Sequence, residues 1–382
     1  MANLMDYLVW RGEFGMDLAP WNEVDALMMS NLCYLNFHGI DDPRGWTVAE
    51  AKRLDLLQET TVANFEGRKA QFEAMAESHR FGGVRMHHFI AVTDEKQELQ
   101  FSATCYDLPD GTLCVGFRGT DGTFVGWRED FNMSWQSVVP AQEAAVFYLE
   151  RAAEMDDRPI RLVGHSKGGN LAAYAAACCR PEVQERLKEV YSFDGPGMDP
   201  EVFQSEGYQR IVEKIRSFVP QTSIVGMMME YHRKYTVVKS DASGITQHDP
   251  LTWRVYGPRF ETTEKIDANA EVISDTLHGL LRETDREERS VMVDTLFSLL
   301  ESTKASNFNE ALTERLRTLT GMAKGTRELS ANSRKAITRL VGLFLSLGFG
   351  SVVERYQQKR AEAKQESSEQ KGESAPEPEN KG

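Results

Sequence analysis

Cysteine is scarce in this 382-residue chain, and the few present form no pattern. The five (Cys33, Cys105, Cys114, Cys178, Cys179) are an odd number with no CxxC spacing. That excludes a disulfide framework and a thiolate metal site, and it reads as reduced thiols in a cytoplasmic setting. Long apolar runs are missing as well. The most apolar stretch, residues 340–353, is only 14 residues long and is broken by Gly342, Gly348 and Gly350, whereas a spanning helix takes about 20. The opening Met1-Ala2-Asn3-Leu4-Met5-Asp6 lacks the basic and apolar segments of a secretory signal. Positive charge is in deficit too. With 44 Lys and Arg against 58 Asp and Glu the chain carries −14, and affinity for phosphate backbones comes mostly from Lys and Arg. Nucleic acid is therefore excluded as the main partner, and a soluble protein is expected.

What is present is enough apolar material, 41% of residues, for a sizeable core. Three regions follow one another. Residues 1–80 read as amphipathic helix, with Val24, Leu27, Met28, Leu32 and Leu35 on one face. From about residue 83 the period shortens. Residues 85–93, 99–106 and 112–117 are strand-like, with Leu108-Pro109-Asp110-Gly111 as a turn. A helix over 141–155 leads to a strand at 160–163, a helix over 170–179 to a strand at 189–193, and residues 211–219 add another strand. This alternation predicts crossover connections and a mostly parallel sheet covered on both faces.

Beyond about 264 the strand signals stop. Amphipathic helices are expected over 268–283, 287–303, 308–322 and 333–356, followed by a tail rich in Lys, Glu, Gln, Ser and Pro. The division expected is 1–263 for the α/β domain with its helical N-terminal segment, 264–356 for a C-terminal helical extension, and 357–382 for a disordered tail. The apolar stretch at 340–353 would either pack on the domain or touch a membrane surface transiently. The tail contributes only −1 of the charge, so the acidity belongs to the rest.

The chemistry concentrates in Leu162-Val163-Gly164-His165-Ser166-Lys167-Gly168-Gly169-Asn170. This is a G-x-S-x-G sequence with an apolar strand before it and an Ala-rich helix after it, the setting a nucleophile elbow requires. So tight a turn needs small residues two positions either side of the serine, and Gly164 and Gly168 supply them. Ser166 would then stand at a helix N-terminus, where free amides favour developing negative charge. A second element, Val115-Gly116-Phe117-Arg118-Gly119-Thr120, ends a strand 46 residues earlier. An oxyanion hole draws its donors from the residue after the nucleophile and from an earlier strand-end loop, here Lys167 N–H and Thr120. Arg118 reads as a structural ion-pair partner.

Phe117-Arg118-Gly119-Thr120 with Trp127 and Asp130, the Gly164–Gly169 elbow, and Phe193-Asp194-Gly195-Pro196-Gly197 together resemble the class 3 lipases, which are α/β-hydrolases. The similarity is greatest to a bacterial lipase-like family, a domain of unknown function. It extends to residues 3–8 and to Gln247-His248-Asp249-Pro250, covering about 1–260. The resemblance implies an α/β-hydrolase fold, an oxyanion role for Thr120, and a mobile lid after it, where Phe124, Trp127, Phe131 and Trp135 lie. Those aromatics would cover an acyl chain or belong to the core. Met227, Met228 and Met229 likewise would line an apolar pocket or pack inside.

In α/β-hydrolases the base follows the nucleophile and the acid, which sets aside His38, His79, His87 and His88. His165, next to Ser166, points elsewhere. His232, His248 and His278 remain, and the resemblance favours His248, with His232 in reserve. The acid departs from the class 3 pattern. Where those lipases carry an aspartate, this chain has Pro220-Gln221-Thr222-Ser223-Ile224-Val225-Gly226, without a carboxylate. Asp194, at the end of the strand after the elbow, is the nearest substitute, with Asp241, Asp249, or a dyad steadied by Ser223 as alternatives.

The reading is a serine hydrolase acting on small-molecule or lipid esters through Ser166, His248 and Asp194, with Thr120 and Lys167 holding the oxyanion and no cofactor or metal required. Two alternatives stand beside it. One is a catalytically silent hydrolase-fold protein that binds a lipid or protein partner. The other is the same site serving a thioester, a peptide or an acyl transfer.

Overall fold

A computed structural model describes residues 1–60, 62–227, 229, 234–267, 279 and 284–301. Nine strands form one sheet: β1 (Trp46–Thr47), β2 (Arg85–Asp94), β3 (Leu99–Asp107), β4 (Leu113–Phe117), β5 (Ile160–His165), β6 (Leu187–Phe193), β7 (Ile215–Pro220), β8 (Thr236–Val238) and β9 (Thr262–Thr263). Their order in space is their order in sequence. Strands β4 to β8 are mutually parallel, and antiparallel strands extend the sheet at both ends. The helices of eight residues or more are α1 (Leu4–Arg11), α2 (Glu23–Leu32), α3 (Phe65–Glu77), α4 (Phe124–Asn132), α5 (Pro140–Met155), α6 (Lys167–Cys178) and α7 (Arg286–Glu301).

A sequential strand order has a consequence for layering. Right-handed crossovers that all advance in one direction lay their helices on one face of the sheet. Helices α5 and α6 accordingly share one core with Leu113, Val115, Phe117, Ile160, Leu162 and Val190. The alternate strand residues Cys114, Val163, Tyr191, Phe193 and Phe218 point to the opposite face. Among the described residues no crossover helix covers that face; the N-terminal segment does, with Val24, Leu27, Met28 and Leu32 of α2 and Phe72 and Met75 of α3 in the second core. The approach is close. A side chain at Gly116 would overlap Cys33 Sγ.

The N-terminal layer is fastened by a buried ion pair. Asp25 and Arg80 are both fully buried. Arg80 donates to both Asp25 oxygens (Nε 2.7 Å, Nη2 2.5 Å) and to the main-chain oxygens of Phe14, Ala19 and Pro20. Asp25 also accepts Tyr7 Oη at 2.7 Å and closes the capping box of α2 with Asn22. Every donor and acceptor of the pair is thereby engaged, the condition under which a buried pair persists.

The strands over 85–117, 160–165 and 187–193 and helices α5 and α6 lie where the sequence patterns put them. The stretch 211–219 does not begin as strand. Ser205 caps a short helix, Glu206–Ile211, whose Tyr208 and Ile211 enter the core, and a 3₁₀ turn over Val212–Lys214 precedes β7. Of the expected C-terminal helices, α7 is seen at Arg286–Glu301 and packs on α4 through Phe297 against Phe131 and through Arg128 to Asp294. The other three and the tail lie outside the described residues. No helix among the described residues is long and apolar enough to cross a membrane. All five cysteines are free thiols, and Cys178 alone is exposed. A mostly parallel sheet with helices on both faces and a sharp turn from β5 into α6 is the α/β-hydrolase fold.

Replacing Arg80 by Met strands the Asp25 carboxylate in the core, so Arg80→Met should lower stability by about 3–5 kcal/mol. Urea unfolding followed by tryptophan fluorescence measures it; a loss under 1 kcal/mol would refute a fastening role for the pair.

Candidate active site

Strand β5 and helix α6 meet at Ser166, whose backbone has φ 58° and ψ −133°. A non-glycine residue adopts this only when its surroundings impose it. Ser166 N–H donates to Phe193 O of β6 at 2.9 Å, and α6 starts at the next residue. The flanking glycines permit the turn. A side chain at Gly164 would overlap the Gly168 carbonyl, and one at Gly168 would overlap the carbonyl of Phe117 at the end of β4. Ser166 is half-buried, and its hydroxyl makes no hydrogen bond among the described residues. Lys167 N–H is the first of α6 and has no intrahelical acceptor.

Asp194 ends β6 with a positive φ of 48° and is fully buried. Its Oδ1 accepts Ser223 Oγ at 2.5 Å and Gly226 N–H at 3.1 Å, and its Oδ2 lies 2.6 Å from His248 Nδ1. A carboxylate only accepts, so the His248 proton sits on Nδ1 and Nε2 is left as an acceptor. The stretch 220–226, where a class 3 aspartate would lie, thus supplies donors to Asp194 rather than an acid. The other candidates are engaged elsewhere: Asp241 pairs with Arg254 (2.6 Å), and Asp249 accepts Asn64 Nδ2 (2.6 Å) and Leu251 N–H (3.1 Å). His232 and His278 lie outside the described residues.

The base candidate stands beside the elbow. The ring of His248 lies 4.6 Å, centroid to centroid, from that of His165, the residue before Ser166. His165 Nε2 meets the His248 carbonyl at 2.8 Å, and its Nδ1 meets Tyr34 Oη at 2.9 Å. Burial, then His248, then Arg68 hold His165 well below the usual imidazole range.

At the end of β4, the Thr120 hydroxyl donates to Asp130 Oδ2. Burial pushes the Asp130 carboxyl up to about 6, against the opposing pull of Lys167. The Lys167 side chain, which the sequence reading did not use, is buried and donates to Glu129 Oε2 (2.9 Å) and to the main-chain and side-chain oxygens of Gln100 (2.8 and 2.6 Å). Glu129 also accepts Gln100 N–H and Ala141 N–H. This pair ties the elbow to α4, the segment in the lid position. A cationic residue directly after Ser166, with adjacent acids in an amphipathic segment, is the signal the sequence carries for it. Arg118 pairs with Asp121 at 3.3 Å. Met227 packs with Val219, Val237 and Ile266, and Met228 is outside the described residues. No group of three or more His, Cys, Asp and Glu among the described residues is placed to hold a metal.

The state of His165 is measurable. Above about pH 6.5 an imidazole is neutral folded and unfolded alike; below it the unfolded chain takes up a proton the folded one refuses, so stability falls with falling pH. Between pH 7.5 and 5.5 this removes about 1.4 kcal/mol. His165→Gln should show that much less loss in urea titrations at the two pH values, and an unchanged pH dependence would contradict a neutral buried imidazole.

Among solved structures the chain is similar to the M37 lipase (14% identity, 55% of this chain and 70% of that one, TM-score 0.35). It is also similar to a triacylglycerol lipase from Penicillium expansum (13% identity, 48% of this chain and 82% of that one, TM-score 0.29). No curated protein matches it. A family model described as Mbeg1-like matches residues 75–298, which span β2 to β9, Ser166, Asp194 and His248. The chain belongs to this lipase-like Mbeg1-like family.

Proposed function

We propose that the protein is a serine hydrolase of carboxylic esters. The observation that carries the reading is the strained Ser166 at a strand-to-helix turn with the His248–Asp194 pair one ring away. In this reading Ser166 Oγ attacks the ester carbonyl while His248 Nε2 takes its proton. Asp194 holds Nδ1–H and steadies the imidazolium that forms. The Lys167 and Thr120 N–H groups face the tetrahedral oxyanion. Collapse of that intermediate breaks the ester C–O bond, and His248 returns the proton to the departing alkoxide. A water, deprotonated by His248, then attacks the acyl-serine and releases the acid.

The missing hydrogen bond between Ser166 and His248 is compatible with this, since such contacts tighten when substrate binds. A silent hydrolase fold would be favoured by the absence of an acid at 220–226. The geometry of Asp194, with three donors on two oxygens, supports a working acid instead. Apolar substrates suit a lipase-like family, and both a soluble small ester and a lipid ester fall within the reading.

A fluorophosphonate probe tests the nucleophile: wild type should label and Ser166→Ala should not, and a folded wild type that fails to label would sink the proposal. With p-nitrophenyl esters of increasing chain length, Asp194→Asn should cost about 10²–10⁴ in kcat. Full turnover in that variant would remove Asp194 from the mechanism.

A further inference from the structure

We infer that His165 and Tyr34 are positioning residues that fix the base His248 relative to the nucleophile, His165 holding the His248 main chain and Tyr34 holding His165. The inference rests on the assignment of Ser166 and His248 as nucleophile and base. His248 sits in a 3₁₀ turn (Gly244–His248) between strands, not on one. Its loop is tied down at Gln247, whose side chain accepts Thr222 N–H (2.7 Å) and whose carbonyl accepts Trp253 Nε1–H (2.8 Å). The bond from His165 Nε2 to the His248 carbonyl, 2.8 Å, joins this loop to the very strand that carries the nucleophile. With Asp194 on the His248 ring and His165 on its main chain, the base is gripped at two points.

The chemistry of the bond fixes the tautomer. A carbonyl only accepts, so His165 Nε2 bears the hydrogen and Nδ1 is left needing a donor. Tyr34 Oη, 2.9 Å away, is that donor. The same hydroxyl lies 3.2 Å from the His165 carbonyl, but it has one hydrogen, and Nδ1 is the shorter contact. His165 and Tyr34 are both buried, and no solvent competes. Tyr34 is held in turn: the Arg68 guanidinium stands 4.0 Å over its ring and is anchored by Asn31 Oδ1 (2.8 Å) and the Ala63 carbonyl (3.1 Å). The ionisable groups facing His165 are Tyr34 from the end of α2, Arg68 from α3, and His248 from its loop. A neutral His165 is also what the reaction needs, because its ring lies 4.6 Å from the one that becomes an imidazolium.

Three variants test this on p-nitrophenyl butyrate and with the fluorophosphonate probe. His165→Leu removes the donor, His165→Gln keeps an N–H where Nε2 stood, and Tyr34→Phe removes only the hydroxyl. Misplacing a reacting group by about 1 Å costs on the order of 10²-fold. His165→Leu should therefore lose roughly ten- to a hundredfold in kcat with KM little changed, and His165→Gln should recover most of it. Tyr34→Phe should lower kcat less and shift the acid limb of the pH–rate profile, since His165 can then change tautomer. If wild type labels and both His165→Leu and Tyr34→Phe, folded by circular dichroism, keep wild-type kcat and pH profile, the inference fails alone. If His165→Leu does not fold, Tyr34→Phe decides. Should folded wild type neither label nor hydrolyse the ester, the underlying assignment fails and the inference with it.

Discussion

The backbone at Ser166 is the constraint on which the rest is built. A serine at φ 58° and ψ −133° costs about 1–3 kcal/mol, and it holds only because its neighbours leave the chain no other path. Its N–H is taken by the Phe193 carbonyl, its flanking glycines lie against one another, and Gly168 abuts the Phe117 carbonyl. That single turn therefore sets three distances at once. It places the serine, starts α6 with its first amide unclaimed, and presses the elbow on the end of β4, where Thr120 follows. Shifting any of the three strands would relax the turn and dissolve the arrangement. The strain and the site are the same feature.

The sheet's sequential winding explains why residues far from the elbow reach it. With the crossover helices α5 and α6 on one face, the other face had to be covered by chain that is not part of the alternation, and the first 80 residues do this. The covering layer ends at the site: Tyr34 follows α2, and Arg68 of α3 lies on its ring. The family model begins at residue 75, in the last turn of α3 and after most of this layer, Tyr34 and Arg68 included. The matched segment holds Ser166, Asp194 and His248, while part of what orders them comes from outside it. The Asp25–Arg80 pair belongs to the same logic, because a cover that slid on the sheet would carry Tyr34 with it.

Local signals were enough for the strands and the elbow, because alternation, glycine spacing and turn residues report on their own neighbourhoods. They were enough to place Ser166 at the turn from β5 to α6, and chain order narrows the candidate base to three histidines. They misplace only the start of β7: residues 211–214, which suit a strand by apolar alternation, close a capped helix and form a 3₁₀ turn, and the strand begins at Ile215. The acid could be ranked but not chosen: Asp194, Asp241 and Asp249 differ only in what surrounds them. Asp194 alone is buried among donors from 223 and 226 and faces His248, and none of that is written near residue 194. His165 was set aside because adjacency to the nucleophile directs its side chain away from it. The direction was right, but what it met there, a carbonyl 83 residues on, is a property of the folded chain.

The buried carboxylates around the site are not equivalent, and the difference bears on the oxyanion donors. Asp194 and Glu129 each receive donors on both oxygens. Asp130 receives Thr120 Oγ1–H on Oδ2, while its Oδ1 has no hydrogen bond among the described residues and stands 3.9 Å from Lys167 Nζ. An under-served buried carboxylate favours its neutral form, which agrees with its rise to about 6. As the Thr120 hydroxyl donates to Asp130 Oδ2, the oxyanion, in the proposed reaction, is met by main-chain N–H groups alone. When Asp130 is protonated, it can donate to Thr120 Oγ and release that hydroxyl to turn toward the substrate. In the proposed reaction the number of oxyanion donors would thus depend on a carboxylate that touches neither Ser166 nor His248.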